Sequence, residues 1–258
     1  MSKQFSNLQK VTFIKHWTEN LFSFRITRPA SFRFRSGEFV MIGLPNDEGK
    51  PILRAYSIAS PSWSDELEFY SIIVKDGPLT SKLKDIKIND DIVMMPKPTG
   101  TLVLDALKPG KRLFLLSSGT GFAPFASLIQ EPETYEKFEK ILVTHTCRTV
   151  DELNYSKETI KNCFENNIVK EFMSNKLISY HSTTRENYTK KGRITDLIIS
   201  GRLFKDLGIK KISQNDRFMF CGSMGLNNDL KEIMKKNNFQ EGANNKPGDF
   251  VLEKAFVN

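Results

Sequence analysis

The sequence predicts two domains in series: an antiparallel β-barrel over residues 1–100, then an α/β doubly wound parallel sheet over residues 101–258. Three observations predict it. Up to about residue 100, short stretches that alternate apolar and polar are separated by turn residues, with little helical pattern between them. Beyond Pro98-Thr99-Gly100, continuous apolar runs of strand length alternate with helical stretches. Glycine-bearing loops directly follow the first and last of those runs.

In the first half, Phe22–Thr27 and Leu67–Val74 carry the alternation of half-buried strands. Turns are expected at Ser36-Gly37, Pro45-Asn46, Asp76-Gly77-Pro78 and Asn89-Asp90. Strands at that spacing suit a closed barrel. In the second half, Arg112–Ser117 reads as a buried strand leading through Ser118-Gly119-Thr120-Gly121 into a helix over Ala123–Gln130. Lys140–His145, Leu177–His181 and Arg217–Cys221 are three more buried strands. Helices are expected around Asp151–Phe172 and over Asn228–Lys236. The chain has no internal repeats or low-complexity tracts.

The composition, 39% hydrophobic and 26% charged with 20 Phe, is that of a packed globular protein. No apolar run reaches the ~20 residues of a membrane span. The opening MSKQFSNLQK lacks the apolar core of a secretory signal, so a cytoplasmic protein is expected. The three cysteines, Cys147, Cys163 and Cys221, are odd in number and contain no CxxC pair, which fits neither a disulfide framework nor an iron–sulfur cluster. His16, His145 and His181 are scattered, so no metal site is expected. Redox chemistry would therefore need an organic cofactor. The net charge of +8 suits a phosphate-rich cofactor or an acidic protein partner as well as plain solubility. Nucleic acid is not expected, because no basic run with interleaved aromatics and no helix-turn-helix or zinc-finger spacing is present.

Four motifs carry chemistry. Arg54-Ala55-Tyr56-Ser57 places a phosphate-pairing fork, a stacking ring and a hydroxyl along one strand. Asp76-Gly77-Pro78-Leu79-Thr80-Ser81 makes a turn into a short helix, whose hydroxyls and N–H groups suit a phosphate. Ser117-Ser118-Gly119-Thr120-Gly121-Phe122-Ala123-Pro124 lets backbone approach a pyrophosphate at the helix start after a buried strand. Cys221-Gly222-Ser223-Met224 closes the last core strand, at the edge where α/β sheets bind ligands. Each motif alone also reads as ordinary structure: a strand end, a capped helix, a tight turn, a buried inert cysteine.

In this order the motifs resemble ferredoxin–NADP⁺ reductase of the bacterial type, and the resemblance spans nearly the whole chain. It implies an FAD-binding barrel and an NADP(H)-binding α/β domain whose C-terminal tail returns to the FAD. By that likeness Tyr56 stacks on the isoalloxazine, Ser57 bonds near flavin N5 and Arg54 holds the FAD pyrophosphate. Ala55, Ser71, Ile72, Ile73, Val74 and the Gly77–Ser81 segment complete the FAD site, with Thr120 adjoining. Gly119, Gly121, Cys221, Gly222 and Met224 belong to the nucleotide loops, with Cys221 near the nicotinamide. Thr144, Arg148, Thr184, Arg185 and Arg193 are assigned to NADP, Arg185 and Arg193 to the adenosine 2′-phosphate. A second phosphate calls for such bidentate cations, where an NAD site would offer the ribose an acid. The tail, with Ala255 at the flavin face and Phe256 at the adenine, is similar to one bacterial subgroup; plant-type members end on an aromatic residue instead. Glu253 is a candidate for proton traffic.

The resemblance implies an oxidoreductase that takes hydride from NADPH and passes single electrons to an acidic ferredoxin or flavodoxin, either direction of flux being open. No membrane partner is implied, and a monomer is expected. Two rivals remain at this point: an NAD(P)H-dependent flavin or quinone reductase (a diaphorase) on the same fold, and a non-catalytic subunit that retains it.

Overall fold

The structure, a computed structural model, describes residues 7–45, 51–75, 77–173 and 175–254. Asn46 and Asp76 of the expected turns lie outside the described residues, as do Ala255 and Phe256 of the tail. The first half contains β1 (Leu8–His16), β2 (Leu21–Thr27), β3 (Phe39–Gly43), β4 (Leu53–Ser57), β5 (Glu66–Ile72), the short α1 (Thr80–Leu83) and β6 (Asp91–Met94). These strands form one antiparallel sheet in the order β4-β3-β6-β1-β2-β5. A bridge between Ile58 and Phe69 joins the two ends of that order, and Ala59 N–H donates to Glu68 O, which closes the barrel. The inward side chains follow from the alternation: Phe22, Phe24 and Ile26 of β2 meet Leu67 and Phe69 of β5, Val11, Val40, Ile42 and Ile92. The outward faces of Leu21 and Tyr70 are also buried, because the second domain packs on them.

The second half continues with β7 (Arg112–Ser118), α2 (Ala123–Ile129), α3 (Pro132–Lys137), β8 (Lys140–Cys147), α4 (Asn154–Glu165), α5 (Lys170–Met173) and β9 (Leu177–Thr183). It ends with α6 (Ile194–Ile199), α7 (Arg202–Asp206), β10 (Asp216–Gly222), α8 (Met224–Lys236) and β11 (Phe250–Lys254). All pairings are parallel, in the order β11-β10-β7-β8-β9. Apolar clusters cover both faces of this sheet, one around Phe125 and Leu128 of α2 and the other around Leu197 and Leu230 of α6 and α8. That is the doubly wound arrangement expected. Its strand order reverses between β7 and β10, the place where such sheets bind nucleotides.

Two elements depart from expectation. The single helix expected around Asp151–Phe172 is broken into α4 and α5. Asn166 turns extended (ψ 120) and its side-chain Oδ1 accepts from Ile168 N–H at 2.8 Å, an Asx turn that competes with the helix. The stretch Phe250–Lys254 is a fifth parallel strand rather than only a tail. Among the described residues, no helix is long and apolar enough to cross a membrane.

Candidate functional site

A cavity of about 590 Å³ opens where the barrel meets the C-terminal edge of the parallel sheet. The barrel contributes Arg54, Ala55, Tyr56 and Ser57 from β4, Tyr70, Ser71 and Ile72 from β5, and Val74, Gly77, Pro78, Leu79 and Thr80 from the loop into α1. The α/β domain contributes Thr120, Ala123, Leu252 and Glu253. Four segments far apart in sequence therefore share one wall. Sequence reasoning did not name Phe39, Tyr70, Ala123 or Leu252, which also line it. Nothing local marks them, since each reads as a core residue of its element.

The Tyr56 ring is held by the edges of Phe24 and Phe69, at centroid distances of 6.5 and 6.1 Å, and its hydroxyl lies 3.2 Å from Ser71 Oγ. Burial raises its phenol pKa, so it stays neutral. Arg54 is exposed at the cavity, and one Nη donates to Leu53 O at 2.9 Å. The hydroxyls of Thr80 and Ser81 are engaged within the loop itself. Thr80 Oγ1 bridges Val74 N–H and Val74 O, and Ser81 Oγ donates to Gly77 O at 2.6 Å. Tyr70 is 3% exposed, and its fully buried hydroxyl, on the side of Cys147 and Glu152, has no hydrogen-bond partner among the described residues.

Glu253 stands opposite, on β11. Its Oε1 accepts from Thr101 N–H and Thr101 Oγ1, and its main-chain oxygen accepts from Asn227 Nδ2 of α8 at 2.8 Å. Burial pushes the carboxyl up to about 7, against the lowering effect of the Thr101 donors. Cys221 pairs in register with Glu253, but it is 1% exposed and does not line the cavity. Burial, with the Glu253 carboxylate beside it, pushes its thiol far up, so it remains protonated.

The loop after β7 is a 3₁₀ turn over Gly119–Phe122. Gly119 has φ +53, a left-handed conformation that favours glycine. Gly121 is needed for a different reason: a Cβ there would overlap the Cys221 carbonyl. This close approach brings the turn against the end of β10, where Gly222 is buried and Met224 is exposed at the start of α8. Arg148 and Arg185 are exposed and adjoin through Arg185 N–H donating to Arg148 O, at the carboxyl ends of β8 and β9. Thr184 N–H donates to Cys147 O, and exposed Arg193 precedes α6 just after the Thr183–Lys191 bridge. Thr144 lies elsewhere. It is fully buried between Leu116 and Tyr180 in the sheet, and its hydroxyl has no partner among the described residues. Ile73 packs on the barrel core.

Comparison with known proteins decides the family. Residues 6–104 match the oxidoreductase FAD-binding domain, and residues 115–232 the oxidoreductase NAD-binding domain. The flavodoxin/ferredoxin–NADP reductase of Rhodobacter capsulatus is 54% identical over 99% of this chain and 95% of its own length. The ferredoxin–NADP reductase of Azotobacter vinelandii is 46% identical over 97% of this chain and 98% of its own. The chain belongs to the ferredoxin–NADP reductase family. A ferredoxin NADP⁺ reductase structure from Neisseria gonorrhoeae, with bound FAD and NADP, superposes with a TM-score of 0.87 at 27% identity, covering 97% of this chain and 98% of that one.

The cavity fits the flavin of a ferredoxin–NADP reductase. An aromatic wall at Tyr56 suits a flat ring, and the exposed guanidinium of Arg54 suits a pyrophosphate. The nucleotide side fits as well. The Gly119–Phe122 turn lies at the strand-order switch, and Arg148 and Arg185 adjoin at the same edge of the sheet.

Proposed function

We propose that this protein is a flavodoxin/ferredoxin–NADP reductase, an FAD-dependent oxidoreductase that exchanges electrons between NADPH and ferredoxin or flavodoxin. The observation that carries this reading is the shared cavity, whose walls come from the barrel motif Arg54–Ser57 on one side and from Thr120 and Glu253 of the nucleotide domain on the other. When bound, FAD supplies the chemistry of accepting a hydride and releasing electrons singly. The chain's own residues hold and tune. Tyr56 offers its face to the ring, Ser57 a hydroxyl beside it, and Arg54 a cation to the pyrophosphate. Ala55, Ser71, Ile72, Val74, Gly77, Pro78, Leu79 and Thr80 shape the remainder. Glu253, with its carboxyl near neutrality, holds a proton at the cavity wall. Cys221 acts as a buried neutral thiol behind the turn and not as a nucleophile.

Arg185 and Arg193 form the docking patch for the 2′-phosphate, with Arg148 beside them at the nucleotide, a reading supported by their exposure at the sheet's binding edge. We place the domain boundary at residues 100/101, between β6 and β7. The tail belongs to the subgroup in which Ala255 meets the flavin and Phe256 the adenine. Leu252 and Glu253, which precede those residues in sequence, line the cavity. Stopped-flow flavin absorbance tests the reading. NADPH should bleach the holoenzyme much faster than NADH, and ferredoxin should restore the colour. Equal bleaching by NADH would remove the 2′-phosphate patch, and restoration only by free flavin or quinone would make it a diaphorase.

A further inference from the structure

Beneath the Gly119–Phe122 turn lies a buried polar chain that the cofactor assignments leave unexplained. His145 of β8 is 1% exposed; its Nε2 is 2.9 Å from Gly119 O and its Nδ1 is 2.7 Å from Ser156 Oγ of α4. Ser156 Oγ is in turn 3.1 Å from His181 Nε2 of β9 and 2.9 Å from Leu153 O. Cys147 Sγ lies 3.1 Å from His145 Nε2, and the Phe122 ring packs on the imidazole at 4.9 Å.

Proton bookkeeping gives this chain a direction. A carbonyl only accepts, so Nε2 of His145 must carry the hydrogen that reaches Gly119 O. Burial, with His181 nearby, pushes the His145 pKa down to about 3, so the ring is neutral and its Nδ1 is bare. Ser156 must then donate to Nδ1, which spends its single proton there rather than on Leu153 O. The Ser156 oxygen accepts from Nε2–H of His181, itself neutral because burial and the cations of Lys157 and Lys190 push it down to about 4. Every donor in the series His181, Ser156, His145 points toward Gly119. Such aligned chains strengthen one another in a dry interior.

The peptide plane carries the consequence. In a trans peptide the Gly119 C=O and the Thr120 N–H point in opposite directions. Pulling the carbonyl inward onto His145 turns the Thr120 N–H away from β8, and Thr120 is itself a residue of the cavity wall. A Cβ on Gly119 would meet nothing within 4 Å, so the glycine serves its left-handed φ and not a tight fit. On the Gly119 flank nothing packs, so the carbonyl anchor holds the peptide there while the Gly121 approach to Cys221 seats the rest of the turn.

We propose that His145 is a positioning residue for NADPH: with Ser156 and His181 it forms a one-directional hydrogen-bond relay that fixes the Gly119–Thr120 peptide and presents its N–H to the nucleotide. The assignment rests on the reading of this turn as the nicotinamide-nucleotide loop. The test uses the FAD-loaded holoenzyme, with NADP⁺ affinity read from the flavin difference spectrum and KM and kcat for NADPH measured alongside FAD content. His145→Leu, which keeps bulk and loses the donor, should weaken NADP⁺ binding and raise KM by about tenfold, the scale of one lost oriented hydrogen bond, with FAD content kept. His145→Gln, whose amide still donates from nearly the Nε2 position, should recover most of that loss. The ratio of NADPH to NADH use should stay as in the parent, because the 2′-phosphate patch is untouched. Ser156→Ala leaves the ring in place and removes only the group that sets its tautomer; it should show an intermediate loss, and it decides the matter if His145→Leu does not fold. Unchanged affinity in His145→Leu, or in Ser156→Ala where His145→Leu does not fold, would overturn the relay, as would a glutamine variant as impaired as the leucine one. A parent enzyme that NADPH does not bleach would instead overturn the underlying reading, and the relay's purpose with it.

Discussion

Glu253 is a carboxyl whose neutral form the fold prefers. Burial raises its pKa from the model-compound value of 4.5 to about 7, more than the Thr101 donors lower it. Between those two values the folded chain binds more protons than the unfolded one, so this residue's contribution to stability falls as pH rises through that window. Glu253→Gln removes the ionisation while keeping the acceptor for Thr101. We expect it to raise the melting temperature at pH 8 and to change it little at pH 4.5; an equal gain at both would contradict the ionisation account. His145 and His181 run the other way. Their pKa values are depressed, so they remain neutral through the neutral range and cost stability only as pH falls below about 6.5.

At the scale of elements, the mouth of the parallel sheet is positioned from its opposite end. Arg112 at the start of β7 grips Asp216 at the start of β10 through two bonds of 2.6 Å, and Ser213 N–H adds a third donor to the same carboxylate. Asp216 is fully buried, so removing it strands a guanidinium only 17% exposed. Asp216→Ala should cost about 3–5 kcal/mol in urea unfolding, whereas the double variant Arg112→Leu/Asp216→Leu should cost less. A double variant as unstable as the single one would mean that the pair itself, rather than the stranded charge, carries the energy. Because β7 and β10 are neighbours in parallel register, this pair also helps fix how Gly121 and Cys221 meet at the far end of both strands. The same register explains which site residues were legible. Runs such as Leu113–Leu116 announce buried strands, and glycines after them announce the turn. Thr144 also sits in such a run, yet its side chain points to the α6/α8 face, because adjacent residues of a strand face opposite ways.

At the scale of the whole molecule, the two domains are joined by specific contacts and not by a linker alone. Tyr70 of the barrel stacks on Tyr155 of α4 at 4.1 Å, and Tyr155 Oη donates to Glu68 at 3.0 Å. Ser127 Oγ donates to Ser60 O, Ser36 Oγ donates to Glu131, and Lys15 pairs with Glu158 at 2.7 Å. These contacts set the width of the cavity between the domains. The net charge of +8 acts over the same scale. An acidic carrier would be drawn in by long-range attraction that salt screens. Raising NaCl from about 50 mM to about 500 mM should therefore slow ferredoxin reoxidation by roughly tenfold or more, with a smaller effect on a neutral quinone acceptor. An indifferent ferredoxin rate would leave the basic charge to solubility alone.

The sequence by itself determined what depends on local pattern: a barrel followed by a parallel sheet, the Arg54–Ser57 strand, the Gly119–Phe122 turn and the Cys221-Gly222 strand end. Periodicity, turn chemistry and glycine act through near neighbours, so they can be read along the chain. The tertiary structure alone decided the rest. It recruited Tyr70 and Leu252 to the cavity, buried Cys221 behind it, and made Phe250–Lys254 a fifth strand. It also assembled the relay from Gly119, His145, Ser156 and His181. The residues of that relay lie up to 62 positions apart, and apart from Gly119 none has a distinguishing neighbour in sequence. They meet because β7, β8 and β9 align in parallel and α4 crosses over them, and a buried donor must then find whichever acceptor the register supplies.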